Sequence, residues 1–355
     1  MSELRYPSRR VCIVLLTGLG DVVQGLPIVN ALKDDDPTRH ITWVVQPMPA
    51  PIIRPHPSVD DVVVYRKNDG ARGVLALRRE LARRKFDLTL NLNVYFKSVW
   101  PTILSGAPHR LGFDRARTFE GVWLASNHHL EPRPRAHTQD NFLEFVEHLG
   151  LPVPPKVEYR IPITPEERAA QAGFFARFDG KPVVSLVPAS AIHRKDWRAD
   201  RYARLVDVLE GDLGFRTLLI GGPGEREVRI AREITDLATH KPAWAMGDPI
   251  RHMIWQIEGS RLIIAPDTGP LHLARALEVP GIGLFGHTNP WRCGPYGAPY
   301  SDLWVDRYTD PGAAPDPAQR LPKQGRMDQI TVDDVLARVE LAMQRYGAGD
   351  GGRQA

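Results

Sequence analysis

Short unbroken apolar runs alternate with longer amphipathic stretches along almost the entire chain, and no other property restricts the possible folds as sharply. From residue 9 the order is "VCIVLL" (11–16), "DVVQGLPIVNALK" (21–33), "ITWVV" (41–45), "VDDVVVY" (59–65), "GVLALRRELARRK" (73–85) and "FDLTLNLN" (86–93). An apolar run without alternation reads as a strand buried on both faces, and a periodic stretch as a helix packed on one. The repeating pair is a βαβ unit, which predicts an α/β doubly wound parallel sheet.

The rhythm stops and then restarts. After the helix-like "TQDNFLEFVEHLG", five prolines fall within residues 149–168, a linker candidate. Beyond it come "KPVVSLVP", "RYARLVDVLEG", "FRTLLIGG", "EREVRIAREITDLA", "IRHMIWQIEGS", "RLIIAPDTG", "PLHLARALEV" and "PGIGLFG", a second doubly wound set. At 355 residues the chain is long enough for two cores. The segment 331–346 predicts a closing helix with Thr331 as its N-cap, and the Gly-rich 347–355 a frayed tail.

Composition removes several function classes. No apolar run reaches the roughly 18 residues of a membrane span, and the opening residues lack a secretory core, so a cytoplasmic protein is expected. Cys12, in a strand, and Cys293, in a loop, give neither a disulfide framework nor a metal-binding pair. A formal charge of +4 suits an anionic substrate or an anionic membrane surface better than nucleic acid. The run Asp34–Asp35–Asp36 before Pro37 reads as a solvated turn, and no metal is predicted.

Three strand exits in the second half carry chemistry. In "RLIIAPDTGPLHLARAL" a strand turns into a helix beginning near Gly269, where free amides and the helix dipole attract an anion. Thr268 adds a hydroxyl; Asp267 either belongs to that site or caps the helix, and His272 either reaches a ligand or is satisfied within the fold. In "SAIHRKDW" Ser190 precedes His193, Arg194 and Lys195, a group suited to a diphosphate or else a solvated charge run. In "LLIGGPGEREV" Glu225 stands where a Rossmann-type acid binds ribose, or where an acid simply favours a helix start. The first half departs from this chemistry: "GLGDVVQGLP" places a carboxylate, Asp21, in a glycine turn, where it repels phosphate and suits proton removal from a hydroxyl. Lys97, Arg110, Arg115, Arg133 and Arg135 in the same half suit an acidic acceptor. The helix "RRELARRK" reads as a solvated face or as one that skims anionic lipid.

Taken together, "GLGDVVQGLP", "RLGFDRAR", "SAIHRKDW", "GGPGERE" and "APDTGPLHLARALEVPGIGLFGHTNPWRCGPYG" resemble the glycosyltransferase family 9 heptosyltransferases of lipopolysaccharide core synthesis, over nearly the whole chain. The resemblance implies the GT-B fold: two facing Rossmann-like domains, 1–160 for the acceptor and 161–328 for the nucleotide sugar, with residues 329–355 crossing back toward the first. It implies Asp21 as general base, Ser190 and Lys195 as diphosphate contacts, Glu225 as ribose contact and Met246 as an apolar adenine contact. Asp267, Thr268, Gly269 and His272 match its donor-site signature. The implied donor is ADP-heptose and the implied acceptor an anionic lipid-linked core oligosaccharide, with no obligatory cofactor, no nucleic acid and peripheral contact with the inner membrane. Ala191 stands where the family often has a hydroxyl, and the extended "HTNPWRCGPY" marks a subfamily.

Three other activities share parts of this plan. A nucleotide-sugar epimerase of the same fold converts donor without acceptor. A NAD-dependent dehydrogenase wants G-x-G-x-x-G in the first turn, which is lacking here. A non-catalytic sugar-nucleotide sensor has no use for the positioned acid Asp21.

Overall fold

Buried on both faces, the apolar run at the start of the chain becomes β1 (Arg10–Val14), a central strand of a six-stranded parallel sheet. Its neighbours are β2 (His40–Val45), β3 (Asp61–Val64), β4 (Leu88–Asn91), β5 (His109–Gly112) and β6 (His128–His129), in the spatial order β3-β2-β1-β4-β5-β6. Val14 pairs with Val44 on one side and Asn91 on the other, and every pairing in the sheet is parallel. The helices are α1 (Leu19–Asp35), α2 (Ala50–Ile53), α3 (Gly70–Ala82), α4 (Val99–Leu104) and α5 (Thr138–His148). The computed structural model describes residues 5–297 and 299–347, and the chain divides into two units, Met1–Pro162 and Ile163–Ala355.

Helix α1 lies tight on the sheet because residue 25 has no side chain. A Cβ there would stand 2.9 Å from Leu15 Cδ2 and 3.0 Å from Trp43 Cη2, and Trp43 is fully buried. That contact fixes the direction in which the first turn of α1 projects from the sheet.

The second unit repeats the plan. After α6 (Pro165–Ala176) come β7 (Val183–Leu186), α7 (Ala199–Gly211), β8 (Arg216–Gly221), α8 (Glu225–Leu237), β9 (Ala243–Met246) and α9 (Ile250–Gly259). They are followed by β10 (Leu262–Pro266), α10 (Gly269–Ala276), β11 (Gly281–Phe285), α11 (Pro290–Cys293), β12 (Val305–Asp306) and α12 (Val332–Tyr346). The strand order is β12-β11-β10-β7-β8-β9, again parallel throughout. Each unit is thus the doubly wound α/β sheet that the alternating pattern predicts.

The structure adds detail to several sequence expectations. The proline-rich segment contains the boundary between the units, as expected, and its first part is strapped to the first unit: Leu149, Leu151, Val157 and Tyr159 are buried, Asn30 Nδ2 donates to Glu158 O at 2.7 Å, and His56 Nε2 donates to Tyr159 O at 2.8 Å. The acidic run lies at the surface, with Asp34 exposed, and is paired there: Asp34 with Arg160 at 2.7 Å and Asp35 with Arg39 at 2.8 Å, while Asp36 accepts from Thr38. Helix α12 starts on the expected Thr331, in a capping box with Asp334. Its apolar face, Val332, Val335, Val339 and Ala342, lies in the core of the second unit, which is where residues 329–347 belong by burial. Cys293 ends a short helix, not a loop. The tail 348–355 lies outside the described residues.

Candidate active site

In a doubly wound sheet, ligands bind beyond the carboxyl ends of the strands, where the chain turns back and leaves a crevice. The strand order of the second unit puts that point between β7 and β10. The two loops leaving these strands carry Ser190, Lys195 and residues 267–269, so topology alone unites most of the predicted donor residues. They close on each other. Lys195 Nζ lies 2.7 Å from Asp267 Oδ2 and donates to the Asp267 carbonyl at 3.3 Å.

Asp267 is the hub. Thr288 Oγ1 donates to Oδ2 at 2.7 Å, Cys293 Sγ lies 3.7 Å from the same oxygen, and His272 Nε2 is 3.8 Å from Oδ1. Burial alone pushes a carboxyl up, but Lys195 and His272 overcome it and hold Asp267 well below the usual carboxylate range. The carboxylate thus serves Lys195 and Thr288 rather than capping α10. The N-cap of α10 is Thr268, whose side chain makes no capping bond. Pro270 has no N–H and the Leu271 N–H goes to Thr268 O at 3.1 Å, which leaves the Gly269 N–H as the first-turn amide outside the helix ladder.

The Ser190 loop is fixed by residues that sequence reasoning passed over. Asp196 accepts from Ser190 N at 2.8 Å, and the Arg226 guanidinium bonds both Asp196 and the Ser190 carbonyl. The Ser190 hydroxyl turns back within its own loop, donating to Ile192 O at 2.8 Å. Glu225 is exposed as the first residue of α8, whereas Glu227 accepts from Gly222 N at 2.9 Å and holds the glycine turn. Met246 ends β9 in the core of the second unit, and Gly221 beside it leaves the room its Cε needs.

The loop after β11 completes the wall. A Cβ on Gly286 would stand 2.5 Å from Met327 N, so only glycine lets residues 326–327 cross there. Asn289 caps α11 and donates to the Asp316 and Gln319 carbonyls at 2.8 and 3.0 Å, which ties down the segment bearing Thr288 and Cys293.

The switch point of the first unit lies between β1 and β4. Asn93, just past β4, accepts from Leu16 N at 2.9 Å and donates to Val14 O at 2.8 Å, pinning the end of β1 from which the glycine turn departs. Asp21 follows in the first turn of α1, half-buried. Lys97, in the turn after β4, is pushed down by burial, while the nearby Asp21 charge raises it and Lys67 lowers it further. The segments that carry Asp21 and Lys97 follow the adjacent strands β1 and β4. The other cations make contacts within the unit: Arg110 donates to Ala125 O and Ala107 O at 3.0 and 2.8 Å, Arg135 to Ala116 O at 2.9 Å, Arg133 pairs with Glu147, and Arg115 lies over the Trp123 ring.

Residues 74–316 match the model of glycosyltransferase family 9 (heptosyltransferase). The chain belongs to glycosyltransferase family 9. This family 9 glycosyltransferase is similar to the lipopolysaccharide core heptosyltransferase OpsX of Haemophilus influenzae, 27% identical over 340 residues that cover 94% of this chain and 96% of that one. Among solved structures it is similar to a glycosyl transferase family 9 protein from Veillonella parvula, with a TM-score of 0.80 at 22% identity, covering 96% and 99% of the two chains. It is also similar to E. coli heptosyltransferase WaaC with ADP, with a TM-score of 0.74 at 22% identity, covering 94% and 99%. The structural likeness assigns the family 9 enzyme the GT-B fold expected from its sequence.

Thr288, Cys293, Asp196 and Arg226 are the site residues that the sequence reading left out. Thr288 and Cys293 lie within the quoted "HTNPWRCGPY", so that extension was visible, but not what it touches.

Proposed function

We propose that this enzyme transfers a heptose from ADP-heptose to a hydroxyl of the lipopolysaccharide inner core, Kdo-lipid A or an already heptosylated core, with inversion at the anomeric carbon. The reaction is placed at the cytoplasmic face of the inner membrane, where a lipid-linked acceptor would be met. The observation that carries the reading is the Lys195–Asp267–Thr288 cluster at the β7/β10 switch point, a cation held in place beside a glycine-opened helix terminus. The relatives support the sugar and the nucleotide: OpsX is named as a core heptosyltransferase, and WaaC was solved with ADP.

As the glycosidic bond breaks, negative charge gathers on the leaving diphosphate and positive charge on the sugar ring. Lys195, the Gly269 N–H and the Thr268 hydroxyl meet that charge with groups already aimed, so little reorganisation is needed. Asp267 keeps Lys195 in position rather than touching phosphate. Inversion requires the acceptor oxygen to approach from the face opposite the diphosphate, with its proton taken by Asp21. Lys97 beside Asp21 offsets the acidic groups of the acceptor. Glu225 is assigned to the ribose, Met246 to the adenine, Ser190 to the diphosphate through its loop, and His272 to the donor side of Asp267.

The test is a donor profile. Purified enzyme is mixed with ADP-, UDP- and GDP-sugars, each with and without truncated core lipid, and nucleoside diphosphate release is followed. Release only with ADP-heptose plus acceptor is expected. Conversion of the donor alone would instead favour an epimerase, and a preference for UDP- or GDP-sugars would overturn the donor assignment.

A further inference from the structure

Lys195 and Asp196 are neighbours in the chain, yet their side chains serve opposite sides of it. Lys195 reaches the loop after β10, at Asp267, while the Asp196 carboxylate turns toward α8, where Arg226 Nη1 donates to its Oδ2. The other arm of the same guanidinium, Nη2, donates to the Ser190 carbonyl, and Ser190 N–H donates to Asp196 Oδ1 at 2.8 Å. Ser190, Asp196 and Arg226 therefore form a closed ring of hydrogen bonds that joins the two ends of the loop 190–196. Inside it a single helical turn, His193–Lys195, carries the lysine. Just beyond it Trp197 is buried and donates to Ile330 O at 2.9 Å, which anchors the far end of the loop in the core. Arg226 itself stands between two acids with separate surroundings: Glu225 is exposed at the start of α8, and Glu227 holds the glycine turn through Gly222 N.

We infer that Arg226 is a positioning residue for donor binding: its two-armed contact with Asp196 and Ser190 holds the loop in the shape that presents Lys195, and ties that loop to the helix start bearing Glu225. A guanidinium fork suits the task, because it meets a carboxylate and a carbonyl at once in fixed geometry, which the point charge of a lysine does not. Removing it is felt along the loop. At 12% exposure the Asp196 side chain would be left as a carboxylate out of water without its cation, so the ring would open. A loop closed in advance also loses less conformational freedom when a ligand arrives. The inference rests on the proposed donor site, in which Lys195 meets the diphosphate.

The experiment is calorimetric titration of the full chain with ADP, UDP and GDP, for wild type, Arg226→Ala, Arg226→Lys, Lys195→Ala and each Arg226 variant combined with Lys195→Ala. Arg226→Ala should weaken ADP binding by about 10-fold and Arg226→Lys by about 3-fold or more. In the Lys195→Ala background the same changes should cost less than about 2-fold, because a residue that acts through the lysine then has nothing left to position. A general loosening of the fold would not show that dependence. Unfolding midpoints identify a variant that does not fold, and Arg226→Lys, which keeps a cation beside Asp196, carries the test if Arg226→Ala fails. In the transfer assay the donor KM should rise with the ADP Kd while the acceptor KM stays within about 2-fold. Arg226 variants that bind ADP as wild type does would overturn the inference. So would equal losses with and without Lys195, which would make Arg226 an independent contact of the ligand. Wild type that binds UDP or GDP in place of ADP would overturn the ADP assignment alone, the cycle being read with that nucleotide instead, and binding of none of the three would overturn the donor site and the inference together.

Discussion

A buried carboxylate is costly unless something holds its charge, and Asp267 is held from several sides. Lys195, Thr288 and His272 all face it, and in the proposed reaction it acts on the donor through the lysine it aims. Lys195→Ala should therefore raise the donor KM by about 10- to 100-fold, the usual worth of a hydrogen bond to a charged group, as measured by steady-state kinetics. Because the Asp267 pKa is depressed in the folded state, its contribution to stability is fully present above the unfolded value near 4 and is lost as the pH falls below it. Urea midpoints measured from pH 5 down to pH 3 should fall more steeply for wild type than for Asp267→Asn, and equal slopes would show that the ion pair carries no such linkage. Lys195 and Asp267 are each visible in the sequence, but their pairing is not. They stand 72 positions apart, and only the adjacency of β7 and β10 joins them. Thr288 and Cys293 escape notice for the same reason, since a threonine or cysteine declares no role until its partner is known.

The helices and long strands follow from their patterns, because burial on one or two faces leaves a period in the sequence. β5, β6 and β12 leave none: they have four, two and two residues, and β5 and β6 carry His109, Arg110, His128 and His129, so no apolar run announces them. Glycines that exist for close approach are equally silent. Gly286→Ala should drive the Met327 backbone away and destabilise the second unit by about 1–3 kcal/mol, read by urea denaturation, with weaker donor binding because the same loop carries Thr288. Helix α12 is legible in place and cap, but its packing into the core of the second unit is not. Its four buried apolar residues are worth about 4–8 kcal/mol, comparable to the net stability of a domain. Chains ending at residue 328 should therefore lose the second unit's cooperative unfolding transition by circular dichroism, and retention of it would contradict this packing.

Both units use one strand order, and in each the residues with chemistry stand where that order reverses. The sequence discloses this to a large degree, because a doubly wound sheet commits its ligands to the carboxyl ends of its strands, and the unusual turns there are short and local. It does not disclose which surface cations are available: Arg110, Arg133 and Arg135 look like Lys97 in composition, yet each is bonded to its own unit. The account as a whole depends on a division of labour, with acceptor activation by the first unit and donor binding by the second. Its most direct test is Asp21→Ala, assayed for transfer from ADP-heptose to core lipid and titrated calorimetrically with ADP. Turnover reduced by about 100-fold or more with ADP affinity within about 2-fold of wild type is the predicted result. A variant that transfers heptose at the wild-type rate, or one that loses ADP binding along with turnover, would contradict it.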